Sequence, residues 1–145
     1  MVHALEEIRH MLKPDGALVD IHPVLEAPRI QVHQGRKILF DEPDPDHDEE
    51  KFRRADRALE EVLQRGLFIL ERRGQFDMYG YSTTVAEYCN YIEKASGYDE
   101  SPEDEAILAQ EADFYSRVEA IMEGAGEGAE IVYHEVARIM RLRPD

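Results

Sequence analysis

Pro14 and Gly16, two residues apart, fix how the first part of this chain must run. Leu5, Ile8 and Leu12 recur at helical spacing, and Glu6, Glu7, Arg9 and Lys13 take the other face. That pattern is an amphipathic helix with one buried stripe. Pro14 cannot extend it, and Asp15-Gly16 supplies a turn. The turn opens into Ala17-Leu18-Val19-Asp20-Ile21-His22, an apolar strand. Physically this is one αβ unit with a tight connection.

A chain of 145 residues, 43% of them hydrophobic, is one domain's worth and can build one real core. With no Trp, seven Tyr and five Phe, that core is mostly aliphatic. Seventeen basic residues against 32 acidic ones give a formal charge of -15. Such a surface repels phosphate backbones and anionic lipid, so neither nucleic acid nor a membrane surface is expected as a partner. Cys89 is alone, which leaves no intrachain disulfide and no cysteine metal cluster. No apolar run approaches a membrane span and the N-terminus is charged rather than signal-like, so the expected location is cytoplasmic.

Further along, Arg29-Ile30-Gln31-Val32-His33 alternates, Gln34-Gly35 turns, and Arg36-Lys37-Ile38-Leu39-Phe40 returns. This reads as a β-hairpin over 29–40, a flap or edge ribbon. Residues 41–50 are acidic; a calcium loop is disfavoured by the spacing and the missing central Gly. Asp46 or Asp48 can cap the next helix, whose apolar face is Phe52, Ala55, Leu59, Val62 and Leu63 and whose end is Gly66. Leu67-Phe68-Ile69-Leu70 is a buried strand, and the stretch 67–81 either bends at Gly74 or folds there into a hairpin. Thr84 and Glu87 form a capping box for a helix to about residue 95, with Cys89 on its apolar stripe as a small core residue. Ser101-Pro102 starts another helix, which Ile107, Leu108, Phe114, Val118, Ile121 and Met122 carry to Gly124. The final strand, 130–142, is largely apolar on both faces and belongs inside a sheet.

The run Ala4-Leu5-Glu6-Glu7-Ile8-Arg9-His10-Met11-Leu12-Lys13-Pro14-Asp15-Gly16-Ala17-Leu18-Val19 resembles the late αβ unit of class I S-adenosylmethionine-dependent methyltransferases. In that family a helix ends in Leu-Lys-Pro-Gly-Gly and enters the fifth strand; here Asp15 stands for the first Gly. The resemblance implies an α/β or α+β fold like the C-terminal half of that domain. Its parts would be a small mixed three-stranded sheet, flanking helices and a β-hairpin. Strands 17–22 and 67–71 would run parallel through a crossover helix at 49–65, with the last strand inserted antiparallel between them. The chain reads as a single segment, 1–145, with the hairpin flap at 29–40 and a helical insertion at 83–123 where the family commonly has a hairpin.

The family holds its cofactor on a Gly-rich turn after the first strand, with an acidic residue at the end of the second. Both belong to a half expected to precede this segment. The resemblance therefore implies S-adenosylmethionine for the family but assigns no cofactor-binding or catalytic residue here, and independent activity is not expected. The expected role is an accessory, substrate-side or relic domain. The alternative is an autonomous α+β binding or dimerisation module. Strand 17–22 would lack one family neighbour, so self-association, or pairing with a separate protein, is expected along that edge or through the helix at 2–12.

Ligands in open α/β sheets sit at the carboxyl ends of parallel strands. Asp20 and His22 lie at that end of the first strand, Tyr79 and Tyr81 at that of the second, and Tyr133 and His134 begin the last. His22, Tyr81 and His134 are the candidate pocket residues, under the hairpin. General acid–base work by His22 is the sharper reading; hydrogen-bonded structural histidines are the plainer one. His33 has no ligand spacing with His22, so no metal site is assigned.

Overall fold

Helix α1 spans Val2–Met11 and strand β1 spans Leu18–Pro23, the unit that Pro14 and Gly16 demarcate. The turn closes with the Gly16 amide donating to the Lys13 carbonyl at 2.9 Å. A Cβ at Gly16 would lie 3.0 Å from that oxygen, so a side chain there would crowd the turn. The computed structural model describes residues 1–96 and 105–145. Its further elements are β2 (Arg29–Gln34), β3 (Lys37–Pro43), α2 (Glu49–Gln64), β4 (Phe68–Ser82), α3 (Val85–Ser96), α4 (Glu105–Ala125) and β5 (Ala129–Pro144). The helix start read at Ser101-Pro102 lies outside the described residues. The stretch 67–81 is one strand, not a hairpin. Among the described residues no helix is long and apolar enough to cross a membrane.

The fold is α+β, and β5 is its common strand: β1, β2 and β4 all pair with it, and β3 pairs with β2. Two compact units divide the chain, Met1–Glu26 with Asp48–Asp77 and Val136–Asp145, and Ala27–His47 with Met78–Glu135. The second is assembled from the stretches read as hairpin and helical insertion.

In the first unit β1 pairs antiparallel with β5 over Leu18↔Leu142 to Pro23↔Ala137. On β4, Glu71 reaches Arg141 and Arg143, while Gly74 faces Ile139. Forward along β4 is thus backward along β5. The same stretch of β5 cannot pair two strands on one edge, so β5 lies between β1 and β4, antiparallel to both. This is the insertion expected of the last strand. Met140 and Leu142 of β5 bury with Leu5, Ala58, Leu59, Val62 and Phe68, the stripes of α1 and α2 meeting one sheet face. Asp48 caps α2 by accepting from the Glu50 and Lys51 amides at 3.0 and 3.3 Å. The helix ends in paired bonds, Leu67 N–H to Val62 O at 3.0 Å and Gly66 N–H to Leu63 O at 3.1 Å, with Gly66 at φ 67°: a Schellman motif. Arg9 binds this turn, donating to Leu67 O at 2.9 Å.

In the second unit β2 pairs with β5 from Arg29↔His134 to Gln34↔Ala129, and β3 returns beside β2. The hairpin is therefore part of the sheet rather than a flap, which raises the strand count from three to five and leaves the pairings antiparallel rather than mixed. The physical reason is burial. Ile30 and Val32 are fully enclosed and pack with Phe40, Tyr88, Phe114, Val118 and Ile131, which needs a sheet neighbour on each side of β2. Phe40 meets Phe114 edge to face at 5.5 Å, and Arg117 spans from α4 to Glu42 with two bonds of 2.8 and 3.0 Å.

Gly66→Ala places a Cβ in the left-handed region, and should cost about 1–2 kcal/mol, read as a lower midpoint in urea unfolding. An unchanged midpoint would contradict the motif.

Candidate functional site

β1 sets Asp20 and His22 on one sheet face by its period of two, and register places Arg138 of β5 directly opposite His22. Asp56 comes from α2. Together they form the densest polar cluster of the first unit. The His22 Nδ1 lies 2.6 Å from Asp20 Oδ2, and its Nε2 lies 2.9 Å from Asp56 Oδ1 and 2.7 Å from Arg138 Nη2. Arg138 Nη2 also donates to Asp56 Oδ1. The side chains of His22 and Arg138 are each 12% exposed, so these contacts are largely withdrawn from water.

The two ring nitrogens of His22 thus face two carboxylates, Asp20 at Nδ1 and Asp56 at Nε2, and Arg138 serves Asp56 as well. Burial alone would raise the Asp56 carboxyl; the hydrogen bonds from His22 and Arg138, with the Arg138 charge, outweigh it and hold the group below its ordinary value. An Asp–His pair is the geometry of a general base. Here, however, Asp56 and Arg138 already occupy the nitrogen that would face a substrate. The cluster orients and neutralises itself; it binds no substrate proton as it stands. Arg138 Nε is buried without a hydrogen-bond partner.

The other two candidates stand in the second unit, each with its own surroundings. His134 stacks on Tyr79, ring centres 4.6 Å apart and planes within 10°. Tyr81 lines a cleft of 190 Å³ with Tyr88, Tyr91, Tyr133 and Glu87. A larger groove of 480 Å³ runs past Thr84, Met122 and Gly126, with Glu119, Glu123 and Glu127 in its lining and no aromatic ring. His33 Nε2 contacts Gln31 Oε1 at 2.9 Å. Cys89 is half-buried, and burial pushes its thiol up, away from nucleophilic character.

Carboxylates collect near the tyrosines. Burial raises Asp44 and Glu135, the latter against an opposing hydrogen bond from Tyr133. Burial, joined by neighbouring phenols and carboxylates, likewise raises Tyr88 and Tyr133. Tyr115 lies close to Tyr88, ring centres 5.8 Å apart, yet the Tyr88 hydroxyl meets no hydrogen-bond partner.

With this geometry in hand, comparison with protein-family models, curated proteins and solved structures finds no match to the chain.

Sequence reasoning found His22 but not Asp56 or Arg138. Asp56 hides among Arg53, Arg54 and Arg57 on what reads as a solvated helix face. Arg138 had a signal: it interrupts the apolar parity of Val136, Met140 and Leu142, and a charge on a buried face needs a partner.

Asp56→Asn should cost about 1.5–3 kcal/mol at neutral pH, the scale of hydrogen bonds to charged groups. Because the folded carboxyl is depressed, its contribution is present above the unfolded value and is lost as pH falls through the folded one, below 3.8. The gap between wild type and variant in urea unfolding should therefore close in acid; a gap independent of pH would refute the ion-pair account.

Proposed function

We propose that this chain supplies the second half of a class I methyltransferase-type sheet and does not catalyse on its own. The observation that supports the reading is the strand arrangement of the first unit. An αβ unit with the Leu-Lys-Pro-Asp-Gly turn leads to a crossover helix, and the last strand returns antiparallel between two strands that run parallel to each other. That combination is what the resemblance of residues 4–19 implied.

S-adenosylmethionine does not fit the residues present. Its phosphate-free sugar and amino-acid parts are held in the family by a Gly-rich strand–turn–helix. Here β1 runs through Pro23 into a hairpin, and β4 runs through Ser82-Thr83-Thr84 into α3. Neither connection is Gly-rich, so no step is routed through the cofactor on this chain. The role is to complete a sheet and carry the second unit, as an accessory or substrate-side domain.

The pairing site is the edge of β1, which ends the strand path. Val19 and Ile21 are 53% and 55% exposed on one face of that strand, and Ile21 sits beside exposed Ile139 in register. In the sheet that the reading describes, a strand of the cofactor-binding half takes this edge; in the isolated chain a second copy can take it.

A second reading, an autonomous α+β binding module, is favoured by the tyrosine-lined cleft of the second unit.

Calorimetric titration of the chain with S-adenosylmethionine should give no binding heat; micromolar affinity would overturn the non-catalytic reading. Light scattering at rising concentration should show association that Ile21→Lys abolishes. A wild-type chain that stays monodisperse and monomeric at high concentration would sink the edge-pairing claim.

A further inference from the structure

Four tyrosines meet at the 190 Å³ cleft of the second unit, and they come from three elements. Tyr88 and Tyr91 are three apart on α3, so they share a helix face. Tyr81 is near the end of β4, and Tyr133 is on β5. Gly80 faces Tyr133, where a Cβ would lie 3.6 Å from the Tyr133 Cβ; a larger side chain there would lie over the ring. Tyr88 and Tyr133 are tilted by 36° with centres 6.4 Å apart, an open angle rather than a closed stack.

The formal charge in the cleft lining has one sign. Glu87 lines the cleft, and bonds from the Thr83 amide and hydroxyl to its Oε2, at 2.7 and 2.9 Å, hold it ionised. Asp44 and Glu135 lie close enough to act on Tyr88 and Tyr133. Gly80, Tyr81, Ser82, Glu87, Tyr88, Tyr91 and Tyr133 are the whole lining, and none is cationic. Aromatic faces and a fixed carboxylate together attract a cation, and the attraction grows where water is excluded.

Tyr88 is 2% exposed and forms a fixed wall of the cleft, with its ring near Tyr133 on one side and Tyr115 on the other. The volume is below the roughly 300–1,000 Å³ of drug-sized pockets, so it suits a head group rather than a whole cofactor.

We propose that the Tyr81–Tyr88–Tyr91–Tyr133 cleft, with Glu87, binds a methylated ammonium head group. Rings supply the contact surface and Glu87 the counter-charge. A methylated ammonium presents apolar, positively polarised methyl groups to the ring faces. The inference uses the second unit alone and stands apart from the methyltransferase reading.

The probe is tetramethylammonium chloride, titrated against the full chain at constant ionic strength and followed by the NMR shift of its methyl protons. Ring currents should move that signal upfield in a saturable way. Tyr81 and Tyr91 are 62% and 58% exposed, so replacing them leaves the core intact. Tyr91→Ala and Tyr81→Ala should each weaken binding about tenfold, while Tyr91→Phe, which keeps the ring, should stay within about twofold. tert-Butanol, of similar shape and no charge, should give no saturable shift. The proposal is overturned by an absent shift with wild type, by equal binding of tert-butanol, or by alanine variants that bind as wild type does.

Discussion

Backbone pairing along β5 is the constraint on which the remaining structure depends. Its sixteen residues take β1 over Ala137 to Leu142 and β2 over Ala129 to His134, and β4 pairs with it as well. A strand so fully paired has its amides and carbonyls satisfied by neighbours, which is what permits apolar side chains on both faces to be buried. Ile131, Val132, Ala137, Met140 and Leu142 are all enclosed. The helices then follow from the sheet: α1 and α2 cover the face that Met140 and Leu142 present.

Much of this was legible because the local signals agree. Helix ends were marked by residues with one physical use each: Pro14 and Gly16 at the first turn, Asp48 at the cap of α2, Gly66 at its left-handed exit, and Thr84 with Glu87 at α3. The Glu87 amide donates to Thr84 Oγ1 at 3.0 Å, as the capping box requires. The insertion of β5 between β1 and β4 was also legible, through the two apolar faces of its sequence.

Pairing partners were not legible. The hairpin has short arms with one polar face, and nothing local says that its buried face needs β5 beside it. Only the enclosure of Ile30 and Val32 by α4 residues distant in sequence makes that plain. The candidate histidines show the same limit. His22 was found by its position at a strand end, but its partners come from α2 and β5, 34 and 116 residues away. The cleft tyrosines likewise combine α3 with two strands, and no spacing within one segment reports that convergence.

Arg138 has a bearing on how the sheet chooses its alignment. Residues on β5 alternate between faces, so a one-residue slip against β1 would turn every side chain over. Near Met140 and Leu142 such a slip would bring Arg141 or Arg143 to the buried face, while elsewhere it exchanges one aliphatic residue for another: Ile139 for Met140, Ala137 for Val136. Those swaps discriminate weakly. Arg138 does not have that freedom, because the slipped position would remove its guanidinium from Asp56 and leave the carboxylate, His22 and Asp20 facing an aliphatic chain. The polar cluster thereby acts, together with the outward-facing Arg141 and Arg143, as a key in the ladder that favours one alignment of β5.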